Sequence, residues 1–174
     1  MKDAEMTAAR PLTETRRFKI VRTVIGAGNP AMRGLLGSRF AGPIAQALML
    51  LRFTGRNSGK VYTTPVGYVR DGDSVVVVTS PTYRWWRNVR AGAPVEVRLD
   101  GSWRRGHARV LPPTDPGFDR AVAIQVRGRG PGMLRGFGVP VDGEGRIPDD
   151  ARGDIDQKAL IILIELAPSA SAAP

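Results

Sequence analysis

Apolar residues along this chain fall into short runs, separated by polar turns that carry glycine, and this pattern predicts strands more often than helices. Leu48 to Thr54 reads as a first strand, Val61 to Arg70 as a second and Ser74 to Thr79 as a third, with Arg70-Asp-Gly-Asp73 as a hairpin turn between the last two. Val75 to Val78 are β-branched and unbroken, which predicts a central strand buried on both faces. Val95 to Leu99 and Ser102 to Leu111 alternate around Asp100-Gly101, a second two-residue hairpin with Val95, Val97 and Leu99 on one face. Ala159 to Leu166 is a closing strand.

Helical stretches are fewer. Phe18 to Ile25 spaces Phe18, Val21 and Ile25 as one apolar face of a short helix, and residues 1–17 before it read as a tail. Ala31 to Leu36 and Ile44 to Leu51 are apolar, broken by Gly37-Ser38 and Gly42-Pro43, and read as two short helices or a helix leading into a strand. Tyr83 to Ala91 reads as a short helix ended by Gly92-Ala-Pro94. Pro112 to Pro116 stops the strand before it, and Thr114 or Asp115 can cap a helix that has Pro116 in its first turn and runs to about Val126. Gly128 to Gly138 is a loop or broken helix, and Val139 to Gln157 a polar, acidic connection. The organisation predicted is a tail and short helix over 1–28, one domain over 29–167 and a disordered tail over 168–174, without internal repeats. About six antiparallel strands with two hairpins and inserted short helices argue for a mainly β (α+β) fold closed as a small barrel, which leaves no strand edge exposed.

Composition narrows the chemistry. The 174 residues include no cysteine, which removes disulfides, thiolate zinc sites and a cysteine nucleophile. His107 is the only histidine, so neither a Ser-His-Asp arrangement nor a multi-histidine metal site is available; it sits in an alternating Arg-rich strand and reads as a structural residue. The formal charge of +10 comes from twenty-two arginines and four lysines against sixteen acids, and favours an anionic partner. No helix-turn-helix, zinc-finger or RRM signature is legible, so nucleic acid is not the partner expected. The first residues, MKDAEMTAARPLTETRR, lack the apolar core of a signal peptide, and no apolar run approaches the roughly twenty residues of a spanning helix, so a soluble cytoplasmic protein is expected. The apolar stretch before Leu51, flanked by Arg22, Arg33 and Arg39, either packs on the domain's own sheet or rests on an anionic membrane surface as a peripheral association.

The most chemically loaded turn is Thr54-Gly55-Arg56-Asn57-Ser58-Gly59-Lys60: two glycines, two cations and polar side chains after an apolar run. Glycines let backbone N–H groups approach a phosphate or carboxylate, and a guanidinium and an ammonium add charge-assisted hydrogen bonds. The same residues also read as an ordinary hairpin turn. The spacing is neither that of a P-loop, since Val61 follows the lysine, nor that of a dinucleotide fingerprint.

This turn, followed by Thr63-Thr64-Pro65-Val-Gly-Tyr68, the Asp-Gly-Asp turn, Val75 to Ser80 and Trp85-Trp86-Arg-Asn88-Val-Arg-Ala-Gly-Ala-Pro94, resembles the deazaflavin-dependent nitroreductase family from about Asn29 to Val110. The resemblance implies a split β-barrel that binds the 8-hydroxy-5-deazaflavin coenzyme F-420 and passes its hydride to a quinone or nitro acceptor. By position it implies that Arg56, Asn57, Ser58, Gly59 and Lys60 hold the coenzyme's phosphate and polyglutamate tail, that Thr64 and Pro65 line its ring with Ser80 nearby, and that Trp85, Trp86 and Asn88 fix the helix closing the site. The chain departs from the family pattern at three places. Only Pro81-Thr-Tyr-Arg84 remains of the usual loop between Ser80 and Trp85; Tyr62 stands in place of an arginine; and Gly67 stands in place of an active-site tyrosine.

Hydride transfer asks the protein to stack donor against acceptor, exclude water and stabilise charge developing on the acceptor. Tyr68, Ser80 and Tyr83 are the hydroxyl donors for the last task, and are the catalytic candidates. Three functions remain open: a deazaflavin-dependent quinone or nitro reductase, a relative using FMN on the same fold, and a non-enzymatic binder of a lipid or other hydrophobic anion. A dimer is compatible with each.

Overall fold

The computed structural model describes residues 48–168. The tail and helices expected before residue 48, and the boundary at residues 28 and 29, lie outside them; Leu48–Leu51, the end of the second apolar run, belongs to the first strand, as the reading of Leu48 to Thr54 expects.

Seven strands form one antiparallel sheet: β1 (Leu48–Thr54), β2 (Val61–Gly67), β3 (Val69–Asp71), β4 (Ser74–Thr79), β5 (Ala93–Leu99), β6 (Ser102–Leu111) and β7 (Leu160–Leu166). Their order across the sheet is β2-β1-β5-β6-β7-β4-β3, so its two edges are strands adjacent in the chain and separated by Tyr68 alone. A flat sheet of seven strands would hold those edges about 29 Å apart, six spacings of about 4.8 Å, which one residue cannot bridge. The sheet therefore curls until β2 meets β3, and the split-barrel shape follows from connectivity. The single strand expected over Val61–Arg70 is thus two strands on opposite edges, which raises the count from about six to seven. Val66 and Gly67 still pair with β1, whereas Val69 pairs with Val76 of β4. Pro65, which has no N–H to donate, sits on edge strand β2, where a missing donor is tolerated.

Strand alternation divides the apolar side chains into two cores. Met49, Leu51 and Phe53 of β1 meet Val75 and Val77 of β4, Val95 and Val97 of β5, and Ile162 and Ile164 of β7 inside the barrel. Val76, Val78 and Ile161 face outward, under Phe118, Val122 and Ile124 of helix α1 (Phe118–Arg129). The expectation that Val75–Val78 is buried on both faces is met, because the curl encloses one face and α1 covers the other.

The helices differ from expectation in extent. Gly117, not Thr114 or Asp115, precedes α1; Asp115 instead accepts the Gly117 N–H through Oδ1 (2.8 Å), and α1 continues past Val126 to Arg129. A helical turn α2 (Gly132–Gly136) and a short α3 (Ile155–Lys158) interrupt the segments read as connections, and Asp149–Asp154 forms a 3₁₀ turn. The helix expected over Tyr83–Ala91 is a 3₁₀ segment, Trp85–Asn88. Among the described residues no helix is long and apolar enough to cross a membrane.

Candidate functional site at the barrel mouth

Six residues, Gly55–Lys60, link β1 to β2, and their backbone is tightly folded. The Gly55 N–H donates to Lys60 O (2.8 Å) and the Gly59 N–H to Gly55 O (2.8 Å). Each glycine is required for a different reason. Gly59 has φ +64°, a left-handed conformation that side chains disfavour, whereas a Cβ on Gly55 would lie 2.7 Å from Ser58 Oγ and 2.7 Å from Tyr62 Cε2. Ser58 Oγ accepts the Lys60 N–H (3.3 Å) and is hydrogen-bonded to the Tyr62 hydroxyl (3.3 Å), so the Tyr62 that replaces an arginine of the family pattern braces the corner.

The corner is also tied to the segment that follows β4. Asn88 Oδ1 accepts the Arg56 N–H (3.1 Å), while Asn88 Nδ2 donates to Trp85 O (2.8 Å). Both ends of the Asn88 amide are therefore used in joining the corner to the 3₁₀ segment. Trp86 is fixed by its indole N–H, which donates to Pro81 O (3.2 Å), and Trp85 lies against Phe53 with centroids 6.2 Å apart. Phe53 in turn stacks on Tyr62 at 5.8 Å. Tyr62, Phe53 and Trp85 make an aromatic wall on the inner side of the barrel mouth, because Phe53 and Tyr62 are register partners on one face. The same alternation puts Thr64 on that inner face opposite Leu51, and Pro65 on the outer face opposite Leu50.

Ser80 ends β4. Its Oγ is hydrogen-bonded to Thr82 Oγ1 (2.8 Å) and accepts the Thr82 N–H (3.2 Å), and its carbonyl accepts the Tyr83 N–H (3.2 Å), so Ser80 and Tyr83 share one short turn. Tyr68 is elsewhere, at the joint of β2 and β3, where its carbonyl accepts from Arg129 Nη2 (3.0 Å). Burial, and next the charge of Asp100, push its phenol above the ordinary value near 10, against the opposing pull of Arg70 and Arg129, so it is neutral at physiological pH. Asp100 belongs to the β5–β6 hairpin, at the end of β5 away from the corner. The three hydroxyl candidates thus divide into a Ser80–Tyr83 pair beside the 3₁₀ segment and a separate Tyr68.

What the mouth can bind follows from its unused donors. Arg56 to Lys60 are all exposed. Among the described residues neither the Arg56 nor the Lys60 side chain makes an ion pair, and the backbone N–H groups of Asn57 and Ser58 have no acceptor. No acidic residue occurs from Leu48 to Arg70 or from Ser74 to Val95. A guanidinium, an ammonium and two adjacent amides on a braced turn are a donor set suited to a phosphate or carboxylate. Sequence reasoning missed the brace from Tyr62 and the wall it shares with Phe53, since their pairing depends on the register of β1 with β2. His107 is exposed on β6 against Gly92 and takes no part.

The fold and this mouth define a split-barrel protein with a cationic, glycine-bearing corner beside an aromatic wall. Residues 27–129 match the model of the F420H(2)-dependent quinone reductase family, and the chain belongs to that family. It is 33% identical over 97 residues to F420H(2)-dependent quinone reductase Rv1261c of Mycobacterium tuberculosis and to a Mycobacterium bovis relative. Those matches span 52% of this chain and 63% of each relative's length. Among solved structures, one described as a domain-swapped dimer is similar in fold (TM-score 0.50, 18% identity, 86% of this chain and 99% of that one). An F420-H2 dependent reductase aligns at TM-score 0.47 with 19% identity over 68% of this chain and 94% of that one.

Proposed function

We propose that the chain binds the deazaflavin coenzyme F-420 in its reduced form at the barrel mouth and directs its hydride to a quinone. The observation that carries this reading is the juxtaposition of an unpaired cationic corner with the Tyr62–Phe53–Trp85 wall, a place for an anionic handle next to a place for a flat ring. Family membership and the names of the mycobacterial relatives support it. In this reading Arg56, Lys60 and the Asn57 and Ser58 amides hold the coenzyme's phosphate, with Gly59 keeping the corner open. Thr64 and the aromatic wall flank its ring, and Asn88, Trp85 and Trp86 hold the two halves of the mouth at fixed spacing. The coenzyme supplies the hydride; the chain's part is to stack it against the acceptor, exclude water and offer the Tyr83 or Ser80 hydroxyl to the acceptor oxygen as negative charge develops there, while Tyr68, at the far end of β2, is too remote from the corner for that task. A nitro compound is the second acceptor class to assay.

The test is titration of the oxidised coenzyme, followed by its fluorescence, against the wild type and an Arg56→Ala, Lys60→Ala double variant, with FMN in parallel. Hydrogen bonds to charged groups contribute roughly 1.5–3 kcal/mol each, so loss of both cations weakens binding by at least about a hundredfold. Saturable binding of the deazaflavin with quinone-dependent oxidation of its reduced form supports the reading. Saturable binding of FMN alone, or of neither, overturns it.

A further inference from the structure

Described helices dress only half of the barrel's outer wall. Helix α1 packs on β3, β4 and β7, and α3 meets β7, whereas among the described residues no helix packs on the outer side of β2, β1, β5 and the first half of β6. Register sets one row straight across that second half: Pro65 of β2, Leu50 of β1, Arg98 of β5 and Trp103 of β6. Side chains in such a row stand roughly perpendicular to the sheet, so their tips meet water unless something lies over them. Yet Leu50 is only 4% exposed, Pro65 is buried, Arg98 Nε is sealed from water and Trp103 is half-buried. Leu50 belongs to neither of the two cores. Arg52, from the next row, stands 3.9 Å over the Trp103 ring and donates to Glu96 Oε2 (2.9 Å). It screens the β5–β6 side and leaves Leu50 and Pro65 to be closed by another group. At the border of the same face Thr54, Val61, Pro94, Arg105 and His107 are exposed. A dry centre inside a wet rim is the anatomy of a docking face.

We propose that this face seats the chain's own residues 31–47, held on the Leu50–Pro65 row through Met32, Leu35 and Leu36. The chain joins β1 at Leu48, which is half-buried on the same face, two residues from Leu50. From Leu36 to Leu48 it can extend up to about 40 Å, ample for a row about 14 Å across. Met32, Leu35 and Leu36 have the i, i+3, i+4 spacing of one apolar helix face. A helix about 10 Å wide fits a face of roughly 19 by 23 Å. A second copy of the chain fits less well, since that face offers roughly 440 Å² where a stable interface takes about 800 Å² from each partner. A lipid surface attracts exposed cations and apolar tips, whereas here the apolar centre is shielded and Arg52 is paired with Glu96. The inference does not depend on the coenzyme. It gives Pro65 a task on the outer face, and it steadies from behind the β1–β2 pair that carries the Gly55–Lys60 corner.

The chain has no cysteine, so a single engineered thiol reports cover. The experiment compares the rates at which a sulfonated maleimide labels the full chain as Leu50→Cys and as Thr54→Cys, a position on the same strand and face that is exposed. Leu50→Cys is labelled at least about a hundredfold more slowly, because reaction waits for the segment to lift. Adding Met32→Asp and Leu35→Asp speeds it by about tenfold or more while the near-ultraviolet circular dichroism of the barrel is kept. Should that variant not fold, Met32→Ala with Leu35→Ala gives a smaller rise in the same direction. Labelling of Leu50→Cys as fast as Thr54→Cys overturns the proposal, and so does slow labelling that neither pair of substitutions changes. Protection lost on dilution assigns the face to a second copy, and protection present only with phosphatidylglycerol vesicles assigns it to lipid; either result overturns the proposal as well.

Discussion

At the scale of single residues, the site depends on groups whose polar atoms are used inside the protein. Asn88 shows this best. The resemblance implies that it fixes the segment closing the site, and its side chain is used in that way: its carbonyl oxygen accepts the Arg56 N–H and its amide donates to Trp85 O. We expect Asn88→Ala to destabilise the fold by about 1–3 kcal/mol, the usual cost of leaving such partners unmet, and to weaken coenzyme binding without touching the ligand. Urea denaturation and the fluorescence titration measure the two effects; a variant as stable as the wild type would remove the strut from the account. Asp115 makes a prediction about pH. Its hydrogen bond from the Arg109 guanidinium, and next the Gly117 N–H, hold its carboxyl below the ordinary carboxylate range. The folded-state value lies below the unfolded one, so this stabilisation is fully present above the unfolded pKa of about 3.9 and is lost as pH falls through the folded value. Stability curves of wild type and Asp115→Asn should therefore differ near neutrality and converge below about pH 4.

At the scale of elements, two features were read wrongly from sequence for identifiable reasons. The β-formers Val61–Arg70 look like one strand because nothing in local propensity distinguishes a long strand from two that part company at Gly67-Tyr68. The helix expected over Tyr83–Ala91 tightens to 3₁₀ because Trp85 and Trp86 both pack against the barrel core while Asn88 is held by the corner. Helix α1 offers a test of close packing. Gly128 lies near its end, where alanine is ordinarily the better helix former by about 1 kcal/mol. Here a Cβ would come within 2.4 Å of Val69 Cγ1 on β3, so we expect Gly128→Ala to lower stability, by about 1–3 kcal/mol as for other overpacked sites. An unchanged or raised melting temperature would show that α1 can move off β3.

At the scale of the whole molecule, the sheet's curl and α1 give the protein two cores that share strands β4 and β7. Neighbouring residues of β7 serve different cores: Ile161 packs under α1, Ile162 inside the barrel. Truncating either to alanine should cost about 2–5 kcal/mol, and the double variant should unfold in one transition with the rest, because the strands that separate the cores also join them. Two separated transitions in Ile161→Ala would mean that the α1 side folds independently.

The sequence by itself determined where most of the strand residues lie, that Val75–Val78 is enclosed on both sides, and where the cationic corner lies. These follow from alternation, from β-branched runs and from glycine next to charge, all of which act over a few neighbouring residues. Only the tertiary structure decided that the sheet's edges meet at Tyr68, that Thr64 and Pro65 part to opposite faces and that Asn88 braces the corner. Those depend on strand register and on contacts between residues far apart in the chain, and a local pattern leaves both unspecified.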